Sequence, residues 1–137
     1  MNALIQHWLD LWNGDYAAAE ECVSPDIRVH AALLDGDDGS AVRGPAGVVT
    51  WIAQTRAAFS ELTFAIEVGP IVDGDMVALR WRASGVYAGG FPGAAAEPGT
   101  AIEFTGTDTL RVAGGLIAEY WINSDIHVLL AQLRVLA

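Results

Sequence analysis

Residues 104–125, FTGTDTLRVAGGLIAEYWINSD, decide the fold of this chain. Two β-rich runs flank the pair Gly114-Gly115, and a glycine pair between such runs is a strong signal of a β-hairpin. The hairpin carries three carboxylates, Asp108, Glu119 and Asp125, among aromatic and apolar residues. A carboxylate in such surroundings is costly unless it is hydrogen-bonded or functional. We therefore expect any chemistry of this chain to be organised around the hairpin.

The composition indicates one acidic globular domain. The chain has 137 residues, 53% of them hydrophobic, which suits a single domain, 1–137, with a substantial core. Seven basic and seventeen acidic residues give a net charge of −10. This charge argues against nucleic acid and anionic membranes as partners. The high apolar content favours an internal cavity or a surface buried against a second subunit.

The cysteine content and the N-terminus predict a cytoplasmic protein. Cys22 is the single cysteine, so no intramolecular disulfide is possible and a reducing compartment fits. The first residues lack the basic region of a signal peptide, and no apolar run approaches the ~18 residues needed to span a membrane. The loop 35–40 begins like a calcium loop, but Ala46 stands where the bidentate Glu is required. We therefore expect no metal.

Hydrophobic periodicity predicts helices first and strands afterwards. Apolar residues at three- and four-residue spacing indicate a helix that Asn13-Gly14 ends. Four glycines and two prolines predict a mobile loop at 89–100. The predicted helices are 2–12, 16–23, 45–59 and 126–136, and the predicted strands are 27–33, 63–68, 76–87, 102–112 and 116–124.

This order of elements predicts an α+β fold. We expect an antiparallel sheet that curls over the helices packed on one of its faces. A strongly bent sheet closed by a helix on its concave side forms a cone with an interior pocket. Such a pocket would explain the apolar content of so small a chain.

Several segments, taken in order, resemble the SnoaL-like polyketide cyclase (ester cyclase) branch of the nuclear transport factor 2-like superfamily. The resemblance extends over nearly the whole chain and is more specific for the fold than for the function. The segments are Trp12–Asp15, Ser24–His30, Gly44, Arg56–Leu62, Asp75–Trp81, the hairpin and Gln132-Leu133.

The resemblance implies a cone-shaped homodimer with an apolar pocket and neither metal nor organic cofactor. It also implies an intramolecular aldol step in which a carboxylate abstracts a proton next to a carbonyl group. That chemistry needs a carboxylate of raised pKa and donors that stabilise the enolate. The family's carboxylate usually follows the Trp of the last strand, whereas here Ile122 follows Trp121. An alkyl side chain cannot transfer protons, so the usual mechanism of the family cannot be carried over unchanged.

Asp108 and His30 are the candidate catalytic residues. Asp108 lies on the strand beside the last one, where the turn places it opposite residues 120–122. A structural or solvent-facing Asp is the alternative. The resemblance places a pocket-facing His at position 30, and an imidazole can act as a base near neutral pH; a structural His is the alternative. Tyr87 and Tyr120 are possible donors.

The remaining candidates are walls of the pocket and structural charges. Arg80 and Arg82 share one face of their strand and apolar residues share the other, so we expect the arginines at a dimer face or in salt bridges. An inward Arg80 that binds the ligand is the alternative. We expect Asp125 to cap the last helix and Glu119 to face outward. The predicted ligand-binding residues are Trp12, Phe59, Trp81, Tyr87, Tyr120, Trp121 and Ile122.

Three functions are consistent with these residues. The first is binding of a mid-sized apolar, carbonyl-bearing ligand, such as a polyketide or cyclic ketone, with cyclisation or isomerisation by proton abstraction. The second is a non-catalytic binding or assembly module, which Ile122 favours. The third is an epoxide hydrolase-like enzyme, which needs a carboxylate–Arg–carboxylate set that Ile122 leaves incomplete.

Overall fold

The computed structural model describes residues 1–135. Helix α1 spans Asn2–Trp12 as predicted, and its buried side chains recur at three- and four-residue spacing. The predicted helix 16–23 is divided into a 3₁₀ turn at Tyr16–Ala18 and a short helix α2 at Ala19–Cys22. The helix ends at Cys22, one residue before the predicted end, because Val23 is extended and begins a strand.

The two later helices end earlier than their apolar patterns indicate. Helix α3 spans Gly44–Arg56, and the predicted end near Phe59 is wrong because Phe59 pairs with Tyr87 in the sheet. The Arg56 guanidinium fixes this helix end by donating to the carbonyl oxygens of Trp12 and Leu62. Helix α4 spans Ile126–Gln132. Leu136, the predicted end of that helix, lies outside the described residues.

Five strands form one open sheet in the order β1-β5-β4-β3-β2. Strand β1 runs parallel to β5, so the sheet is mixed and not wholly antiparallel as predicted. No hairpin joins β1 to its neighbour, so the chain imposes no antiparallel direction there. The bounds are β1 Val23–His30, β2 Phe59–Asp73, β3 Met76–Tyr87, β4 Ala101–Ala113 and β5 Leu116–Ser124.

Strand β1 begins four residues earlier than predicted and ends three residues earlier. It includes Pro25, which an edge strand tolerates because it needs no donor on its free side. Beyond the strand, Ala31 and Leu33 donate their backbone N–H groups to Asp38 and Asp37 in the following loop. The predicted extension to residue 33 is therefore wrong, because this backbone pairs with the loop.

The predicted hairpin is present, with Ala113 paired to Leu116 across a two-residue turn. Gly114 and Gly115 have φ angles of 60° and 77°. Two-residue turns whose twist matches that of the flanking strands need a positive φ at both central residues. Glycine adopts this conformation without steric strain. The register places Asp108 directly opposite Ile122, within the span that the sequence predicts.

The sheet buries alternate residues of its central strands against the helices. On β4 the buried positions are 102, 104, 106, 108 and 110, so Asp108 occupies a place in an otherwise apolar row. The predicted alternation of β3 is also present, with Leu79 and Trp81 buried and Arg80 and Arg82 on the other face. Among residues 1–135, no helix is long and apolar enough to cross a membrane.

Candidate ligand cavity and its buried carboxylate

A cavity of about 750 Å³ lies between the buried face of the sheet and the helices. A volume of this size lies in the range of small-molecule sites. Five of the seven predicted ligand-binding residues line it: Trp12, Phe59, Trp81, Tyr120 and Ile122. Part of the predicted 89–100 loop lines it too, between Gly89 and Pro92. The backbone of this loop donates to the carbonyl oxygens of Tyr87 and Leu133.

Asp108 is the one buried ionisable carboxylate of residues 1–135, with 3% of its surface exposed, and it lines this cavity. Its Oδ1 accepts hydrogen bonds from Trp81 Nε1 at 3.0 Å and from Tyr120 Oη at 2.9 Å. Its Oδ2 accepts one from Trp8 Nε1 at 3.1 Å. Three neutral donors on α1, β3 and β5 therefore hold one carboxylate of β4 in a fixed orientation.

Burial controls the acidity of this group. Removal from water raises the pKa of Asp108 to about 6, although the donors from Trp8, Trp81 and Tyr120 oppose the shift by stabilising the ionised form. Burial also raises the pKa of Tyr120 well above 10, with the Asp108 charge acting in the same direction. At neutral pH Asp108 is mostly ionised and Tyr120 remains a hydrogen-bond donor. A carboxylate with a pKa near 6 can accept and return a proton near neutrality.

The raised pKa makes stability depend on pH. The folded state binds a proton at Asp108 up to about pH 6, whereas the unfolded chain releases it near the ordinary Asp value. The free energy of unfolding therefore falls as pH rises between these values. We expect urea denaturation to show a loss on the order of 2 kcal/mol from about pH 4.5 to 7.5. Asp108→Asn should lack this loss; an identical pH dependence in the variant would contradict the assignment.

Aromatic side chains pack around the carboxylate and determine its position. Trp8 meets Tyr120 edge to face, with ring centroids 4.9 Å apart. Trp81 is packed between Phe64 and Phe104, both at 5.4 Å. These contacts fix the two indole rings whose N–H groups point to Asp108, since aromatic pairs of this geometry are favourable beyond their buried area.

Trp12 adds a buried donor to the cavity wall. Its side chain is 7% exposed and packs against Trp8, Trp51 and Phe64. Its Nε1 is the one buried side-chain N or O atom of the described residues without a hydrogen-bond partner. An unpaired buried N–H group is uncommon in folded proteins and requires an explanation.

Three predicted site residues lie outside the lining of this cavity. Tyr87 is buried, and its hydroxyl oxygen accepts from the backbone N–H of Phe91. His30 and Trp121 pair in register between β1 and β5, and their rings stack at 5.1 Å beside a separate cleft. Their positions alternate with the inward-facing residues Val29 and Tyr120, so the strand pleat directs them to the other face. We therefore do not retain His30 as a candidate base.

Glu119 lies on that outer face, as predicted, and its carboxylate contacts both His30 and Arg111. Its carboxylate lies 2.6 Å from His30 Nε2 and 3.1 Å from Arg111 Nε. The hydrogen bond with His30 contributes most to holding the pKa of Glu119 below its usual value, and the hydrogen bond and charge of Arg111 act in the same direction. This side chain is engaged in a structural ion pair and does not face the cavity.

Asp125 precedes α4, but its side chain makes no capping hydrogen bond, so the predicted cap is wrong. Its Oδ2 instead accepts from Thr105 Oγ1 at 2.6 Å and from Arg80 at 3.3 Å. The Thr105 bond, with the Arg80 charge, holds the pKa of Asp125 below its usual value. Arg82 pairs with Glu67 and Glu103. The predicted salt bridges of both arginines are thereby confirmed, and the inward Arg80 is excluded.

Within residues 1–135, no three His, Cys, Asp or Glu side chains lie close enough together to hold a metal ion. Cys22 is fully buried, and burial raises the pKa of its thiol to about 12, which makes it a poor nucleophile. Asp108 is the buried one of the two carboxylates that line the cavity.

Trp8 is the residue of the candidate site that sequence reasoning missed. Its spacing on α1 predicts only a core position, and its partner Asp108 lies 100 residues away in the chain. A buried Trp needs a partner for its N–H group, and a lone Asp in an apolar row needs donors. That mutual requirement shows that each residue needs a partner, but it does not identify which one.

The family profile of the SnoaL-like domain matches residues 5–120. The chain therefore belongs to the SnoaL-like family, within the nuclear transport factor 2-like superfamily, and the expected cone-type α+β fold is confirmed. A search of curated proteins found no significant match.

Solved structures with this fold include proteins described as polyketide cyclases. IdmH, a putative polyketide cyclase from Streptomyces antibioticus, is 29% identical over 98% of each chain, with a TM-score of 0.80. A putative polyketide cyclase from Acidithiobacillus ferrooxidans is 25% identical over 98% of this chain and 93% of its own, with a TM-score of 0.82. AclR, a putative hydroxylase from Streptomyces galilaeus, shares the fold at 24% identity over 99% and 85% of the two chains, with a TM-score of 0.79.

Proposed function

We propose that the cavity binds a mid-sized, largely apolar ligand that bears a carbonyl group, such as a polyketide or a cyclic ketone, and that Asp108 abstracts a proton from the carbon next to that carbonyl. The observation that carries the proposal is a single carboxylate, buried in the wall of an apolar cavity and held by three neutral donors. Membership of the SnoaL-like family supports the same chemistry.

The proton transfer follows from the acidity of Asp108. Its carboxylate accepts the proton, and the electron pair of the broken C–H bond delocalises onto the carbonyl oxygen as an enolate. Where a C=C bond is conjugated with the enolate, return of the proton to the far carbon of that bond gives isomerisation. Attack of the enolate on a second carbonyl of the ligand forms a C–C bond and an alkoxide, and the alkoxide takes the proton back from Asp108, which completes aldol cyclisation. Because the pKa of Asp108 is near 6, both directions are accessible near neutral pH.

The enolate oxygen requires a donor in the cavity wall. Tyr120 already donates to Asp108, and Tyr87 lies outside the cavity lining, so neither hydroxyl predicted from the sequence is the best candidate. We assign this role to Trp12, the cavity-lining residue whose N–H group has no partner. Both Trp12 and Asp108 contact the Trp8–Tyr120 pair, and we propose that one ligand binds beside both.

Hydrogen–deuterium exchange tests the proposal. We expect the protein to accelerate exchange of the α-protons of 1-tetralone, a cyclic ketone, in D₂O followed by proton NMR. Asp108→Asn should reduce the acceleration by on the order of 10² or more, the usual contribution of a general base. Glu119→Gln is the matched control, because Glu119 faces away from the cavity, and should retain it. Equal exchange in wild type and Asp108→Asn would contradict the role of Asp108.

A non-catalytic binding module is the second candidate, and two observations favour it. Ile122, directly opposite Asp108, lines the cavity where the family usually has its carboxylate. Both oxygens of Asp108 are already hydrogen-bonded. In this case calorimetry would detect binding of 1-tetralone while its α-protons exchange no faster than in buffer.

The proposal includes a cytoplasmic homodimer that associates through the outer face of the sheet. A single cysteine supports the reducing compartment, and the family resemblance supports the dimer. Light scattering should give a molar mass of twice the 14.5 kDa of one chain. A mass of one chain at micromolar concentration would contradict the dimer and leave the cavity proposal unaffected.

A further inference from the structure

The two charged side chains that line the cavity are both carboxylates. Asp108 lies in the buried wall and Asp35 on an exposed loop, and no Lys, Arg or His of the described residues is part of the lining. Over the whole chain the net charge is −10. The cavity is therefore a region of negative potential, and apolar walls strengthen such a potential by excluding water.

The partners of Asp108 orient its charge without cancelling it. Trp8, Trp81 and Tyr120 are neutral donors, and Tyr120 is the one titratable group among them. Three arginines of the sheet and one at the end of α3 are engaged elsewhere. Arg80, Arg82 and Arg111 pair with carboxylates on the opposite face, and Arg56 donates to backbone carbonyl oxygens. A ligand in the cavity thus meets a net negative charge in surroundings of low dielectric constant.

The aromatic walls of the cavity favour a positively charged ligand. Aromatic rings present a negative face, which attracts cations, most strongly in Trp. Nine aromatic side chains line the cavity: Trp8, Trp12, Trp51, Phe59, Phe64, Trp81, Phe91, Phe104 and Tyr120. Such walls also accept flat uncharged molecules, because these fill apolar volume without a desolvation penalty.

We infer that the cavity selects its ligands by charge, that it accepts uncharged and cationic molecules and rejects carboxylates, and that Asp108 is the residue that determines this selectivity. The inference rests on the proposed function only in taking this cavity as the ligand site. It restricts the carbonyl-bearing substrates to molecules that carry no ionised acid group on the part that enters the cavity beside Asp108.

Calorimetric titration at about pH 8 with three naphthalene probes of similar size tests the inference: 2-acetylnaphthalene, 2-naphthylmethylammonium and 2-naphthoate. Repulsion between two unit charges ~6 Å apart at an effective dielectric constant of ~20 corresponds to a factor on the order of 100 in affinity. We therefore expect 2-naphthoate to bind at least about tenfold more weakly than the ketone. The ammonium should bind at least as tightly as the ketone.

Two substitutions identify the residue responsible. Asp108→Asn should reduce the ratio of the ketone's affinity to the carboxylate's affinity by at least about tenfold, because it removes the repulsion between the two charges. Asp35→Asn makes the same chemical change at an exposed lining position and should leave the wild-type ratio in place. If Asp108→Asn does not fold, wild type measured at about pH 5 replaces it. At that pH Asp108 is protonated while 2-naphthoate stays ionised. The affinity of 2-naphthoate should then lie closer to that of the ketone than it does at about pH 8.

The outcomes separate the two proposals. Binding of the ketone together with equally tight binding of 2-naphthoate would overturn the charge selectivity and leave the cavity as the ligand site. An unchanged ratio in Asp108→Asn would overturn the assignment of selectivity to Asp108. If none of the three probes binds, both the inference and the proposed function fail.

Discussion

Asp108→Leu is expected to unfold about 2–4 kcal/mol more easily than Asp108→Asn at pH 7. Both substitutions remove the buried charge, and both side chains have four heavy atoms branched at Cγ. The Asn side chain keeps one carbonyl oxygen, which can accept from Trp81 and Tyr120 as Asp108 Oδ1 does. The Leu side chain leaves those two donors, and also Trp8, buried without a partner. Each buried unsatisfied donor costs about 1–3 kcal/mol.

Chemical denaturation of the two variants, followed by circular dichroism, measures this difference. Comparing Leu with Asn, and not only with wild type, cancels the gain that both obtain by removing a buried charge. Equal midpoints and slopes for the two variants would mean that the three donors do not stabilise the fold. The described geometry of the carboxylate would then be wrong.

Gly106→Ala is expected to destabilise the fold by about 2–4 kcal/mol through a single methyl group. Gly106 pairs with Trp81 across β3 and β4, and the Trp81 ring lies over it. A Cβ at position 106 would lie 2.2 Å from Cζ2 of that ring, far inside contact distance. The ring must therefore move, and the Trp81 hydrogen bond to Asp108 breaks. Loss of this donor also removes a contribution that lowers the pKa of Asp108, so that pKa should rise further.

Gly47→Ala is the matched control for this substitution. Gly47 lies within α3, and a Cβ there would meet its nearest neighbour at 3.5 Å, an ordinary contact distance. Alanine inside a helix is more favourable than glycine by roughly 0.5–1 kcal/mol, so this variant should be slightly more stable than wild type. If Gly106→Ala is as stable as Gly47→Ala, then Trp81 does not lie against β4 as described. Carbon-13 NMR of the Asp108 carboxyl group gives the accompanying change in pKa.

The fold was predictable from the sequence where one local pattern determines the structure. The Gly114-Gly115 turn determined the register of β4 and β5, and that register correctly placed Asp108 opposite Ile122. Strand β3 and helix α1 have the predicted bounds because their apolar residues alternate or recur with a single period. These elements required no knowledge of distant residues.

Long-range contacts account for what the sequence did not predict. Helix α3 ends before Phe59 because this residue pairs with Tyr87, and Asp125 fails to cap α4 because Thr105 and Arg80 hold its side chain. The direction of β1 follows from pairing with a strand almost a hundred residues away. Propensity and spacing within a segment carry no information about such partners.

The candidate site combines both kinds of outcome. Asp108 was identified because a carboxylate among apolar residues needs a reason, but its donors Trp8 and Trp81 could be identified only from the folded chain. Trp121 was expected in the cavity together with Tyr120. A strand directs consecutive side chains to opposite faces, so only one of the two can line it, and in the structure that residue is Tyr120.

A crystal structure of the protein with 2-acetylnaphthalene tests the central claim most directly, because it locates the ligand relative to Asp108. The account predicts the ketone inside the cavity, with the methyl carbon next to the carbonyl within ~3.5 Å of an Asp108 oxygen, the distance of a reactive contact. It also predicts the carbonyl oxygen within hydrogen-bond distance of Trp12 Nε1. A ketone bound outside the cavity, or within it but separated from Asp108 by other side chains, would contradict the account.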